Sequence, residues 1–198
     1  MKILGITGSS GSGKTTLSDI LRKKDIEVID CDKVAKELTV PNTAYMESII
    51  KTFGKEILKS DGNLDRKKLG ALIYKDKVAL EKLNNLTFKY VVEETLLKLI
   101  ALKEAGKKLA CIDAPLLFEA GLNKKCDYII AVIAKEEIKI SRICKRDNVS
   151  ETVAIQRLNI QKSDNFFREK ADFIVENNFD NTKELEQVLE KILEEIER

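Results

Sequence analysis

A chain of 198 residues is long enough for one compact domain with a real core and inserted flaps. Its 43% hydrophobic and 34% charged residues exclude a disordered chain and a membrane-embedded one. With 35 basic against 33 acidic residues and a formal net charge of +2, no overall field argues for nucleic acid or an anionic membrane as partner.

The opening does not read as a signal peptide, because its apolar stretch is short and a glycine-rich turn follows at once. Residues 2–7 are a short, largely apolar run leading into glycine, the pattern of a buried parallel strand. A helix is expected from about Lys14, with Leu17, Ile20 and Leu21 on its inner face. Residues 25–30 alternate as a second strand, with a helix expected from about Lys33. Residues 43–52, 66–74 and 76–104 then carry apolar side chains at helical intervals. Further strands are expected at 109–113, 128–133 and 173–176. Between the last two runs a helical excursion over about 135–170, rich in basic residues: Lys135, Lys139, Arg142, Lys145, Arg146, Arg157, Lys162, Arg168 and Lys170. The last segment aligns Leu185, Val188, Leu189, Ile192, Leu193 and Ile196 on one helical stripe, capped by Asn181 with Glu184 three residues on. That stripe is expected to pack on the sheet.

Strand–helix alternation with long connections predicts an α/β fold, a parallel five-stranded sheet covered by helices. The expected core covers about 1–40, 105–135 and 171–198. A helical insert over about 41–104 would cover a substrate, and 136–170 would form a lid. The cysteines Cys31, Cys111, Cys126 and Cys144 form no C-x-x-C pair, and histidine is absent, which argues against a zinc site. They read as reduced thiols of a cytoplasmic protein, with Cys111 packed in the core.

Gly8-Ser9-Ser10-Gly11-Ser12-Gly13-Lys14-Thr15 fits G-x-x-x-x-G-K-[ST] at every fixed position, between an expected strand and an expected helix. Glycine lets backbone N–H groups approach phosphate oxygens, and the helix N-terminus adds its positive end. Lys14 would reach the β- and γ-phosphates of ATP, and Thr15 would place its hydroxyl on Mg²⁺. A guanine reader is not present: Asn123-Lys124-Lys125-Cys126-Asp127 sets its aspartate one position too late.

The second strand runs into Asp30-Cys31-Asp32. Ligands of open α/β sheets sit beyond the carboxyl ends of strands. Asp30 is either a helix cap or part of a site. Asp32 reads as functional, orienting or deprotonating an acceptor hydroxyl or holding Mg²⁺ through water. Asp113 ends the third strand like a Walker B aspartate, a metal ligand.

Taken together, residues 11–16 (GSGKTT), 28–32 (VIDCD), 53–58 (FGKEIL), 61–66 (DGNLDR), 113–119 (DAPLLFE), Arg146-Asp147 and 171–177 (ADFIVEN) resemble the dephospho-coenzyme A kinase family over nearly the whole chain. The resemblance implies a P-loop kinase fold with a helical acceptor-binding insert and a lid. It implies transfer of the ATP γ-phosphoryl group to the ribose 3′-hydroxyl of dephospho-coenzyme A, the last step of coenzyme A synthesis. By position it implies Asp32 as base and acceptor contact, and Arg66 as a second acceptor contact. Lys14 and Arg142 would act in catalysis. Gly8, Gly11, Ser12, Gly13, Lys14, Thr15, Thr16, Arg146 and Asn177 would hold ATP, with Thr15 and Asp113 on Mg²⁺. The implied partners are the two small-molecule substrates, with no nucleic acid, membrane or protein partner. Three departures stand out: Ser9-Ser10 for the usual Gly-Ile, Phe88-Lys89 for a His-Pro pair, and Phe179 for a usual glycine. The rival readings are a small P-loop kinase for a nucleoside or nucleotide, and a non-enzymatic nucleotide sensor.

Overall fold

The computed structural model describes residues 1–179 and 181–197. Five strands form one parallel sheet: β1 (Lys2–Thr7), β2 (Glu27–Asp30), β3 (Leu109–Asp113), β4 (Tyr128–Ile133) and β5 (Phe173–Glu176). Their order is β2-β3-β1-β4-β5, so β1 lies at the centre. The register sets Ile6 beside Asp113 and Thr7 beside Ala131. The carboxyl ends of β1, β3 and β4 therefore come level, which is where ligands of such sheets bind. Asp127, from the near-miss guanine motif, accepts a hydrogen bond from the Ile3 N–H at 2.7 Å. It pins the opposite end of β1 and is structural.

Nine α-helices stand among the described residues: α1 (Lys14–Lys23), α2 (Cys31–Leu38), α3 (Ala44–Phe53), α4 (Arg66–Lys75), α5 (Lys77–Glu104), α6 (Glu136–Asp147), α7 (Glu151–Asn159), α8 (Asp164–Lys170) and α9 (Thr182–Glu197). The basic excursion after β4 is thus three helices joined by short turns. Asn148 ends the first in the left-handed region at φ 52°, a conformation asparagine tolerates better than most residues. The second strand is shorter than the alternation suggests. Asp25 has φ 58° and Ile26 N–H bonds back to Leu21 O, so these residues turn out of α1 rather than extend.

The chain divides into two compact units, Met1–Ile29 with Leu102–Arg198, and Asp30–Ala101. In the first, Leu4, Ile6, Cys111, Ile130 and Val132 of the sheet pack against Leu17, Ile20 and Leu21 of α1 and Leu185, Leu189, Ile192, Leu193 and Ile196 of α9. Both expected helical stripes therefore face the sheet. Asn181 accepts from the N–H groups of Lys183 and Glu184, as its cap role requires. On the other face Ala131 and Ile133 meet Phe167 of α8, with Phe118 and Phe166 stacked edge-to-face at 5.2 Å.

The second unit has its own core of Tyr45, Met46, Ile49, Ile57, Leu64 and Leu69, with Leu83, Leu86 and Tyr90 of α5 packed on it. Tyr45 and Tyr90 hydroxyls bond to Thr87 and Ser48 at 2.8 and 2.7 Å. Burial pushes the Tyr45 phenol above its ordinary range, against the Thr87 hydrogen bond and the Arg66 charge. Phe88 and Lys89 lie within α5, which runs through them unbroken because neither is proline.

Candidate nucleotide site on the phosphate loop

The loop between β1 and α1 is built by close backbone packing. Gly8 has φ +140°, and a Cβ there would meet Val132 O at 2.1 Å. Gly13 has φ +99°, and its Cβ would meet the Asn177 side-chain nitrogen at 1.9 Å. Only glycine satisfies both the left-handed backbone and these approaches. Asn177, buried after β5, donates its amide to Ser12 O at 2.8 Å. The Lys14 ammonium folds back on the loop and donates to Gly8 O at 2.7 Å and Ser9 O at 3.2 Å. Thr15 is exposed in the first turn of α1.

Among the described residues, the buried side-chain oxygens of Ser9 and Ser12 have no hydrogen-bond partner. Orphan buried hydroxyls are costly unless something else supplies the bond. Here they belong to the loop whose sequence fits the phosphate-binding pattern. Asp113, at the end of β3, is buried and accepts from the Ser18 hydroxyl of α1 at 2.6 Å. That bond ties the carboxylate to the helix the loop opens.

Two arginines of α6 reach the loop, as a spacing of four on one helix predicts. Arg142 donates to the carbonyls of Gly11, Ser12 and Asn177, and through its other nitrogen to Phe179 O at 3.1 Å. It joins the loop to the turn after β5, so the Phe179 departure is accommodated through the backbone. Arg146 donates to the Ser10 hydroxyl at 3.3 Å and grips the Asp147 carboxylate at 2.7 and 2.9 Å. The Arg146 hydrogen bond, with the Arg146 and Arg157 charges, holds the Asp147 carboxyl below the usual carboxylate range.

The sequence reading did not find Gln161. Its side-chain oxygen, from the α7–α8 connection, accepts from the Ser10 N–H at 2.8 Å. Nor did it find the pair of Lys139 and Asp164, 3.0 Å apart, with the lysine side chain only 10% exposed. Residues so far apart in the chain carry no local signal of meeting. A cavity of about 370 Å³ opens on the Ser9 flank of the loop, walled by Glu136, Lys139, Gln161, Lys162 and Asp164.

Three sequence-predicted residues belong to the second unit. Asp32 is in the first turn of α2, where the helix's positive end favours a negative charge. Asp30 is the cap of that helix, its carboxylate accepting from Lys33 N–H at 3.0 Å. Arg66 opens α4, capped by Asp65, and donates to the Thr39 hydroxyl at 3.1 Å. Among the described residues no group of three or more His, Cys, Asp or Glu could hold a metal. Mg²⁺ at phosphate sites commonly takes one or two protein ligands beside phosphate oxygens and water, and Thr15 with Asp113 are of that chemistry.

A phosphate loop after the central strand of a parallel sheet, backed by a buried aspartate and facing basic helices, defines a P-loop kinase. The chain matches the family model for dephospho-CoA kinase over residues 2–183, and it belongs to that family. The dephospho-CoA kinase of Fusobacterium nucleatum subsp. nucleatum is 38% identical over 98% of both chains. A crystal structure from Thermus thermophilus superposes with a TM-score of 0.83 at 28% identity, covering 98% of this chain and 97% of that one. The dephospho-CoA kinase structure from Campylobacter jejuni has a TM-score of 0.72 at 29% identity, over 99% of this chain and 98% of that one.

Proposed function

We propose that this chain phosphorylates the ribose 3′-hydroxyl of dephospho-coenzyme A at the expense of ATP, giving coenzyme A and ADP. Family membership over residues 2–183 is the observation that carries the substrate, and the phosphate loop supports the donor. The 3′-oxygen forms a bond to the γ-phosphorus while the bond from that phosphorus to the β–γ bridging oxygen breaks. The hydroxyl proton passes to Asp32 and then to water. Asp32 orients the attacking oxygen. Backbone N–H groups of residues 8–15 cradle the phosphates, with Thr16 beside them. Lys14 exchanges its bonds to Gly8 and Ser9 carbonyls for phosphate oxygens. Arg142 and Arg146 add positive charge on the lid side, Arg142 also keeping Asn177 against Ser12. Arg66 contacts the acceptor.

Thr15 and Asp113 would hold Mg²⁺, which when bound offsets charge on the β- and γ-oxygens. No protein partner enters this scheme, and the substrates are those of a cytoplasmic enzyme. Among the described residues no helix is long and apolar enough to cross a membrane. The test is ADP release by the purified protein with dephospho-coenzyme A, with adenosine and AMP as rival acceptors, and with none. Release that depends on dephospho-coenzyme A, with the label of [γ-³²P]ATP in coenzyme A, is the expected result. Release with a nucleoside or nucleotide alone would move the chain to the rival class.

A further inference from the structure

The peptide between Ser12 and Gly13 is held from outside the loop. In a trans peptide the C=O of one residue and the N–H of the next point in opposite directions, so whatever fixes Ser12 O also aims the Gly13 N–H. Ser12 is fully buried, and its carbonyl accepts from the Asn177 side-chain amide at 2.8 Å and from Arg142 at 3.4 Å. The neighbouring peptides are held from within: Ser12 N–H donates to Ser9 O at 3.3 Å, and Gly13 O accepts from Leu17 N–H at 3.2 Å. Gly13 is the N-cap of α1, so its N–H is one of the donors that a helix leaves for an outside acceptor and that anions take. Asn177 is itself anchored. Its N–H bonds to Ile133 O at the end of β4 at 2.8 Å, and Arg142 donates to its carbonyl and to that of Phe179, both at 3.1 Å. Both side chains stand over the Gly13 α-carbon, where a Cβ would meet the Asn177 nitrogen at 1.9 Å and Arg142 at 3.7 Å.

We propose that Asn177 is a positioning residue of the phosphate loop, locked in place by Arg142: its amide holds the Ser12 carbonyl and thereby presents the Gly13 N–H to nucleotide phosphate. This rests on the reading of the loop as the ATP site. Asn177, expected among the ATP contacts, then acts on phosphate through the backbone. Arg142, divided among four carbonyls, works by the fork geometry of its guanidinium, which an ammonium lacks.

The test joins the dissociation constant of ADP, by titration calorimetry, to the amide NMR shifts of the isotope-labelled protein with and without saturating ADP. The variants are Asn177→Ala, Asn177→Asp, Arg142→Ala and Arg142→Lys, with thermal melts to check the fold. In the wild type ADP should move the Gly13 amide proton downfield. Asn177→Ala should bind ADP about two- to tenfold more weakly, and its Gly13 shift at saturation should shrink. Asn177→Asp, of the same size but with a carboxylate oxygen against Ser12 O, should bind more weakly still. Asn177 is buried, so if its variants do not fold, Arg142→Ala carries the same two expectations, and Arg142→Lys should not restore them. A side chain that touched only the base would weaken ADP with the Gly13 shift intact, and that result overturns the positioning role. So does wild-type behaviour of Arg142→Lys, which would leave Arg142 acting by charge alone. If the wild type binds no ADP, or binds it without moving the amides of residues 8–15, the loop reading itself falls and takes the positioning role with it. Loop amides that move while Gly13 stays still overturn the positioning role alone.

Discussion

At the scale of single residues, Lys14 and Asp32 carry the sharpest expectations. Lys14 is the only positively charged side chain among loop residues 8–15, and its proposed role is to set that charge on the transferred phosphoryl group. Lys14→Ala should lower kcat by roughly a hundredfold or more with the fold intact, since it removes charge stabilisation at the transition state. Steady-state rates and a thermal melt check it together, and near-normal turnover would contradict the role. Asp32→Asn keeps the shape and an acceptor while removing the charge and the basicity. Loss of about 10²–10⁴ in kcat with unchanged Mg·ATP affinity identifies the group that handles the hydroxyl. Weakened Mg·ATP affinity points to metal instead, and wild-type turnover removes Asp32 from the mechanism. A cap role is already taken by Asp30, which accepts from Lys33 N–H. The carboxylates could be picked from the chain because they fall at strand ends. Which of Asp30 and Asp32 caps the helix could not, because that depends on where α2 begins.

At the scale of elements, the basic helices after β4 reach the loop through polar contacts of Arg142, Arg146 and Gln161, while Phe167 of α8 packs on Ala131 and Ile133 of the sheet. The polar contacts to the loop are the part that opens at low cost. Amide exchange over residues 140–165 should slow when ATP and acceptor are both bound, and unchanged exchange at saturation would count against a closing lid. The Arg146–Asp147–Arg157 cluster adds a pH statement. The folded Asp147 carboxyl lies below its unfolded value, so its contribution is present above the unfolded pKa and lost as pH falls through the folded one. A carboxyl-carbon NMR titration should find Asp147 still ionised where ordinary aspartates are half protonated. By contrast α9 is bound by packing. Leu189→Ala, at a fully buried position, should cost about 2–5 kcal/mol by denaturant titration. Turnover per folded molecule should stay close to wild type, since α9 only backs the sheet.

At the scale of the whole molecule, binding and folding are linked, because a ligand that binds only the native state stabilises it. ATP at a hundredfold excess over its dissociation constant should add about 2.7 kcal/mol, or roughly 5–10 °C in Tm for a chain of this size. Differential scanning fluorimetry reads it, and the Lys14→Ala variant should show a smaller rise.

The sequence alone determined the element types, the five strands, the phosphate loop and the family. Those rest on short-range rules: apolar periodicity, glycine at fixed offsets, and motif order along the chain. Its weaker points were also local, as at Asp25 and Ile26, where a turn borrowed residues from an expected strand. What only the tertiary structure decided is which distant groups meet. The strand order brings Asp113 beside Ile6, and Asn177 comes against Gly13 only because β5 lies beside β4. Gln161 reaches Ser10 across 151 positions. A surface glutamine in a polar turn has no periodicity and no preferred partner, and only the packing of α6 and α8 gives it an address.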